Sequence, residues 1–173
     1  MRAVRAAWRG GLLVAAVLAA CAGPSSLAGF PSGRFGWNQY HVGDLWFRAP
    51  VSWHVTGDIR RATAEEPDAR SRLEVSIPDQ PYADERACLA AANERLGSAA
   101  AGLERARRHP SRLAGRPALT LEGDQGGWHV WAIAACDAGT QYRVFFTAAT
   151  PASYDAMDVW NTLLRDARVG GEA

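Results

Sequence analysis

Trp128-His129-Val130-Trp131-Ala132-Ile133-Ala134-Ala135-Cys136 is the stretch that decides the fold. Taken alternately, Trp128, Val130, Ala132 and Ala134 lie on one side and Trp131, Ile133 and Ala135 on the other. A strand that is apolar on both sides is central and covered on both sides. Turn signals flank it. Arg116–Glu122 reads as a strand ending in the loop Gly123-Asp124-Gln125-Gly126-Gly127, and Trp128–Ala135 follows. Asp137-Ala138-Gly139-Thr140 is the next turn, and Gln141–Ala148 the third strand.

Beyond these strands, Thr150 suits a helix N-cap and Pro151 a first helical position. Tyr154, Met157, Trp160, Leu164 and Ala167 then give a helical stripe, ended by Gly170-Gly171. Upstream, Ala83–Leu96 reads as a helix with Cys88, Leu89, Ala92 and Leu96 on one face and Gly97 as its stop. Asp84 and Glu85 suit its positive N-terminal end. Residues 98–112 fit either a continuation of this helix or an Arg-rich strand. Arg72–Ile77 alternates, with Leu73, Val75 and Ile77 inside, and is ended by Pro78 and Pro81. Residues 60–71 read as a polar loop, at most a weak strand. Asp44–Ala49 is a short strand with Leu45, Phe47 and Ala49 on one face. Pro50-Val51-Ser52 interrupts it, and Trp53–Thr56 resumes extended structure. Strands, helix, antiparallel strands, helix make an α+β fold whose middle layer is an antiparallel sheet sandwiched by helices.

The N-terminal residues are of a different kind. Arg2, Arg5 and Arg9 precede an apolar run, Gly11–Ala20, too short to span a bilayer, which takes about 20 residues. A basic segment followed by a short apolar one is a secretory signal. The run closes on Leu18-Ala19-Ala20-Cys21, which resembles a bacterial lipobox. That resemblance implies cleavage before Cys21, a diacylglycerol thioether on its sulfur, and palmitate-type acylation of its amine. Ala22, where Asp commonly signals inner-membrane retention in Gram-negative lipoproteins, implies the outer membrane, facing the periplasm. The expected organisation is a signal peptide at 1–20, an acylated Cys21 and flexible tether at 21–36, one domain at 37–169 and a tail at 170–173.

Two motifs in the remaining chain resemble a known family. Phe47-Arg48-Ala49-Pro50-Val51-Ser52-Trp53 is similar to the strand–Pro–x–x–Trp element of PsbP-like domains. Leu113-Ala114-Gly115-Arg116-Pro117-Ala118 is similar to their Gly-x-Pro-Ala strand start, and the hairpin with Tyr142 and the closing Trp160–Leu164 helix fit as well. The resemblance spans about residues 42–168 and extends to DcrB-like and LpqN-like lipoproteins. It implies a PsbP-like α/β/α sandwich that serves as an assembly factor or binding module, without catalysis.

Composition excludes several activities. All 19 basic residues are arginine. No lysine exists for a Schiff base, a Walker-A phosphate loop or a Ser-x-x-Lys nucleophile. Gly33-Arg34-Phe35-Gly36 is not a phosphate loop, and no Gly-x-Ser-x-Gly elbow is present. Loss of residues 1–20 leaves 16 arginines against 18 acids, unlike the basic domain expected of a nucleic-acid binder. Glu65, Glu66 and Asp68 sit in a polar loop rather than forming a glycosidase pair. His41, His54, His109 and His129 show no metal-binding spacing, and no metal or other cofactor is expected; zinc held by distant segments is the alternative.

With Cys21 acylated, Cys88 and Cys136 remain as an even pair in an oxidising compartment. A disulfide is expected, two buried thiols being the alternative. Arg105, Arg107, Arg108, Arg112 and Arg116, with His109, form the densest basic stretch. They read either as a solvated face or as a contact for an anionic envelope component or an acidic partner protein. Trp37, Tyr40 and His41 either cap the core or line a ligand groove. Three functions compete: a non-catalytic lipid-anchored interaction module, a periplasmic carrier holding an apolar or anionic ligand between sheet and helix, and a hydrolase. A deep apolar cavity would favour the second, and a buried His–acid or Ser–His cluster in a cleft the third.

Overall fold

The computed structural model describes residues 26–170. The signal-peptide segment and Cys21 lie outside these residues. The chain runs β1 (Phe30–Pro31), β2 (Trp37–Val42), β3 (Leu45–Pro50), β4 (His54–Gly57), β5 (Arg61–Glu65) and β6 (Ser71–Ser76). Then come α1 (Glu85–Ala100), β7 (Glu104–Leu113), β8 (Arg116–Gln125), β9 (Trp128–Asp137), β10 (Thr140–Ala149), α2 (Tyr154–Asp166) and β11 (Arg168–Val169). A seven-stranded antiparallel sheet has the order β4-β5-β6-β10-β9-β8-β7, and a four-stranded one the order β1-β2-β3-β11.

β9 is the inner strand that its two apolar faces require, paired with β10 on one side and β8 on the other. Trp131, Ile133 and Ala135 join Leu73, Val75, Val144 and Phe146 in a large core. The small sheet contributes Tyr40, Val42, Leu45 and Phe47 to it, and α2 contributes Val159, Trp160 and Leu163. Trp131 and Phe146 each stack on Trp160, with ring centroids 5.8 and 6.0 Å apart. The other face of β9 supplies Ala132 and Ala134 to a smaller core with Leu121 and, from α1, Ala92 and Leu96. The layers are thus α1, the seven-stranded sheet, and the small sheet with α2. The architecture is α+β, with helices on both faces of an antiparallel sheet.

Several local expectations are corrected. Residues 61–65 are strand, not loop. Asp58 Oδ1 accepts from the backbone N–H of Arg60 and of Arg61, at 2.7 and 2.9 Å, and closes a tight turn from β4. Gly57 permits the turn: its φ is +144°, and a Cβ there would lie 2.1 Å from Arg61 O. Ala62 and Ala64 then face inward. Gly97 does not stop α1, which continues to Ala100. The Arg108 guanidinium passes where a side chain at 97 would stand, a Cβ falling 2.9 Å from its Nη1. Of the two readings of 98–112, each holds in part: the helix ends at Ala100 and the Arg-rich strand begins at Glu104.

α2 begins later than expected, with Ser153 as N-cap, its Oγ accepting from Ala156 N at 3.1 Å. Thr150 lies just past the end of β10, its N–H donating to Gly127 O at 2.8 Å. The buried stripe is Ala156, Val159, Trp160 and Leu163, while Tyr154 is 86% exposed and Leu164 40%. Trp37–Val42, given no element from sequence, is strand β2.

The tether expectation for 21–36 also fails for its second half. Ser26 bridges Thr56, and Leu27 N–H donates to Val55 O at 3.1 Å. Phe30–Pro31 pairs with β2. The Arg34 guanidinium lies over the Trp37 ring, at 4.2 Å, and donates to Thr162 Oγ1 and Asp158 Oδ2 on α2, at 2.7 and 2.9 Å. Residues 26–36 are therefore part of the folded unit.

Candidate functional site

The expected arginine cluster opens out in the structure because alternate strand residues point to opposite faces. Arg107 stands opposite Glu122, and Arg108 opposite Leu121, so the two side chains leave β7 on different sides. Arg108 Nη1 donates to Asn93 O at 3.2 Å, on the α1 side. Arg112 donates to Gly115 O at 2.8 Å across the β7–β8 turn. Arg116 meets Asp137 at 3.2 Å, at the far end of β8. Only Arg105 and Arg107 stay together.

These two edge a depression of about 420 Å³ with Glu122, Gly123, Asp124 and His129. Arg105 pairs with Asp124 at 2.8 Å and Arg107 with Glu122 at 2.9 Å. The arginine side chains are 79% and 76% exposed, the carboxylates 17% and 23%. His129 Nδ1 lies 2.8 Å from Asp124 Oδ1, and its ring is 4.0 Å from that of Trp131. The hydrogen bond from His129 and the charge of Arg105 hold the Asp124 carboxyl below the usual carboxylate range. Sequence reasoning missed this pair. Its signal was Gly126-Gly127, which closes a two-residue hairpin and sets Asp124 opposite His129. Reading a five-residue loop there hides the register.

A His–Asp pair orients an imidazole, which is half of a nucleophilic constellation. The other half needs a hydroxyl or thiol at the ring's second nitrogen. Among the described residues no serine, threonine or cysteine lines the depression around His129. The hydroxyl of Thr120, four residues from Asp124 along β8, is bonded to that of Ser111 at 2.7 Å. As an anion site the depression is balanced, two guanidiniums facing two carboxylates. Among the described residues no group of three or more His, Cys, Asp or Glu is placed to hold a metal ion.

Further depressions lie elsewhere. A groove of about 200 Å³ runs between α1 and the sheet, lined by Arg95, Leu96, Ala99, Ala132, Ala134 and Phe145 among others. Phe145 is 43% exposed there. A polar hollow of about 480 Å³ lies at the β4–β5 turn, lined by Asp58, Arg60, Arg61, Asp79 and Arg143 among others. Trp37 lines a separate depression of about 190 Å³ with Pro50, Ser52, Trp53, Asp155 and Asp158, whereas Tyr40 and His41 line none of these. Tyr40 is core, Trp37 carries Arg34, and His41 packs at a tilt against Trp46 with centroids 4.7 Å apart.

Cys88 and Cys136 form a disulfide with Cα atoms 6.0 Å apart, within the roughly 7 Å a bridge permits. It ties the first turn of α1 to the end of β9. Gln141, fully buried, donates from Nε2 to Cys88 O at 3.2 Å beside it.

No protein-family model and no curated protein matches the chain. Solved structures do. The solution structure of cyanobacterial PsbP (CyanoP) from Synechocystis sp. PCC 6803 matches with a TM-score of 0.55 at 15% identity, over 82% of this chain and 97% of that one. A crystal structure from Bacteroides thetaiotaomicron VPI-5482 matches with a TM-score of 0.51 at 8% identity, over 86% of this chain and 50% of that one. LpqN of Mycobacterium tuberculosis, involved in cell envelope biogenesis, superposes more loosely, with a TM-score of 0.43 at 13% identity, over 78% of this chain and 91% of that one. The fold is PsbP-like, as the strand–Pro–x–x–Trp and Gly-x-Pro-Ala motifs imply.

Proposed function

We propose that the protein is a lipid-anchored module of the bacterial envelope, attached through Cys21, that works by binding a partner in assembly rather than by catalysis. The observation that carries the envelope placement is the Cys88–Cys136 bridge. Structural disulfides persist in exported proteins and are rare in the reducing cytosol. The secretory segment and Leu18-Ala19-Ala20-Cys21 agree with it, and two or more acyl chains suffice for stable anchoring. Ala22 favours the outer membrane, facing the periplasm.

The site geometry supports binding over chemistry. His129 and Asp124 are bonded as a pair, and Asp124 is also engaged by Arg105 rather than leading to a nucleophile. The carrier reading needs an enclosed apolar cavity, and pockets for small ligands usually measure about 300–1,000 Å³. The groove beside α1, at about 200 Å³, is smaller and open to solvent. A partner is met instead by exposed groups such as Phe35, Tyr154 and Val51, which are 103%, 86% and 59% exposed.

The test is expression of the full chain and its Cys21→Ser variant in a Gram-negative host with an alkyne-tagged fatty acid. The parent should take up label and fractionate with the outer membrane, and the variant should do neither. Equal labelling of both would refute acylation at Cys21. A parent found in the inner-membrane fraction would refute the outer-membrane assignment alone.

A further inference from the structure

We infer that the β4–β5 turn, with Ile59 at its tip between Asp58 and the Arg60-Arg61 pair, rests in the lipid head-group layer of the membrane that holds the protein. This rests on the acylation of Cys21 proposed above. Its basis is the length of the leash. The fold takes hold of the chain at Ser26, and residues 22–25 alone stand between Ser26 and Cys21. Whatever their conformation, five residues of advance span at most about 17 Å. An acylated cysteine sits at the boundary of the hydrocarbon, and each head-group layer takes up about 5–8 Å. Ser26 therefore stays within about 10 Å of the lipid surface. A freely hanging domain is excluded.

The point of attachment selects the face. Ser26 lies antiparallel to Thr56, so the fold's hold on the chain stands at the Gly57 end of β4. The turn begins one residue beyond Thr56. The chain then runs back along β4 towards the other end, where Val51 N–H donates to Gly36 O at 2.9 Å. That far end carries Phe35 and Val51. β2, β3 and β4 all run between the two ends, so the exposed groups there face away from the bilayer.

The near end is chemically suited to lipid. Ile59 is 69% exposed, and the Asp58 cap keeps it at the apex. Gly43 N–H donates to Ile59 O at 2.7 Å and Ile77 N–H to Arg60 O at 2.9 Å, so the tip is braced from two sides. The hollow of about 480 Å³ beside it mixes guanidiniums (Arg60, Arg61, Arg143) with carboxylates (Asp58, Asp79). A phospholipid head group bearing phosphate and ammonium meets both signs there. An apolar apex flanked by arginines is the arrangement that sits at a bilayer interface.

The experiment uses the acylated full chain in vesicles of phosphatidylethanolamine and phosphatidylglycerol, part of the lipid carrying a nitroxide on its acyl chain. A bimane label is placed at Ile59→Cys or at Val51→Cys. With Cys21 acylated and Cys88 bridged to Cys136, the new thiol is the free one. Bimane at 59 should be quenched about threefold or more beyond that at 51. Equal quenching, or stronger quenching at 51, overturns the proposal. Inserting about twelve Gly and Ser residues after Gly23 should bring the two sites towards equality. An unchanged ratio overturns the leash as the cause. Ile59→Glu, unlabelled, should leave thermal unfolding in place, so a lost signal is not lost fold. Flotation with the vesicles reads the anchor separately: protein that floats with 59 unquenched overturns only this inference, and protein that does not float overturns the anchoring itself.

Discussion

The two faces of the seven-stranded sheet are held by different means. One face is aromatic: Trp53, Trp131, Phe146 and Trp160 stack in a continuous group beneath α2 and the small sheet. Large rings bury much apolar area, and that area is what holds the layer. The other face is built of Ala132, Ala134 and Ala92 with Leu96 and Leu121, a set without aromatic rings whose alanines let α1 approach closely and supply less area. There a covalent bond takes the place of burial. Cys88–Cys136 fastens the start of α1, and the helix's remaining length leaves Phe145 partly uncovered. Where side chains are small, the fold depends on cross-linking, and a helix is the element that would detach first.

The largest expected effect is on the aromatic face. Phe146→Ala should cost about 4 kcal/mol, against about 2 kcal/mol for Leu96→Ala beneath α1, read from denaturant midpoints. Equal costs would break the contrast. Next is the bridge. Cys88→Ala with Cys136→Ala opens a loop of 48 residues and should cost about 2–4 kcal/mol. Amide exchange should then rise in α1 while β9 and β10 stay protected; uniform loss of protection would show that the bridge serves the whole fold.

The caps sharpen the comparison at smaller scale. Asp84→Ala removes the acceptor for Ala87 N and Ser153→Ala the one for Ala156 N, each at about 1 kcal/mol. In the bridge-free background Asp84→Ala should melt α1 alone, as followed by proteolysis at its N-terminal turn. The smallest effect is acid-dependent. Asp166 is held below the usual carboxylate range by hydrogen bonding from Arg165 and by the charges of Arg165 and Arg48. A depressed carboxyl stabilises the fold above its unfolded value and ceases to do so as pH falls through the folded one. Asp166→Asn should therefore cost up to about 1 kcal/mol at neutral pH, with parent and variant converging in strong acid. A gap that persists there would mean the loss is packing rather than charge.

The seven-stranded sheet was legible where a residue's surroundings are set by its own strand. β9 announced its burial through alternation, and the two cysteines announced their pairing through compartment and parity. Less was legible where distant chain decides. Both arcs of α2 contain Trp160, and the one that turns inward is chosen by the aromatic face opposite. Arg34 reads as a loop charge until Asp158 and Thr162 arrive from far along the chain. The arginines of β7 cluster in sequence, yet alternation and cross-strand partners disperse them. His129 and Asp124 were hidden by a single misjudged turn length.

The two outermost strands of the seven-stranded sheet have a bearing on self-association. An open strand offers unpaired backbone groups to any neighbouring copy. β4 is screened by the chain itself, through Ser26 and Leu27. β7 is bulged between Glu104 and Arg107, lacks an N–H at Pro110, and carries exposed Arg105, Arg107, Arg108 and Arg112 along its length. A second β7 brought alongside would meet like charge and a broken ladder. On the lipid anchor proposed above, copies would meet often in two dimensions, and this edge would keep them from zipping into a shared sheet.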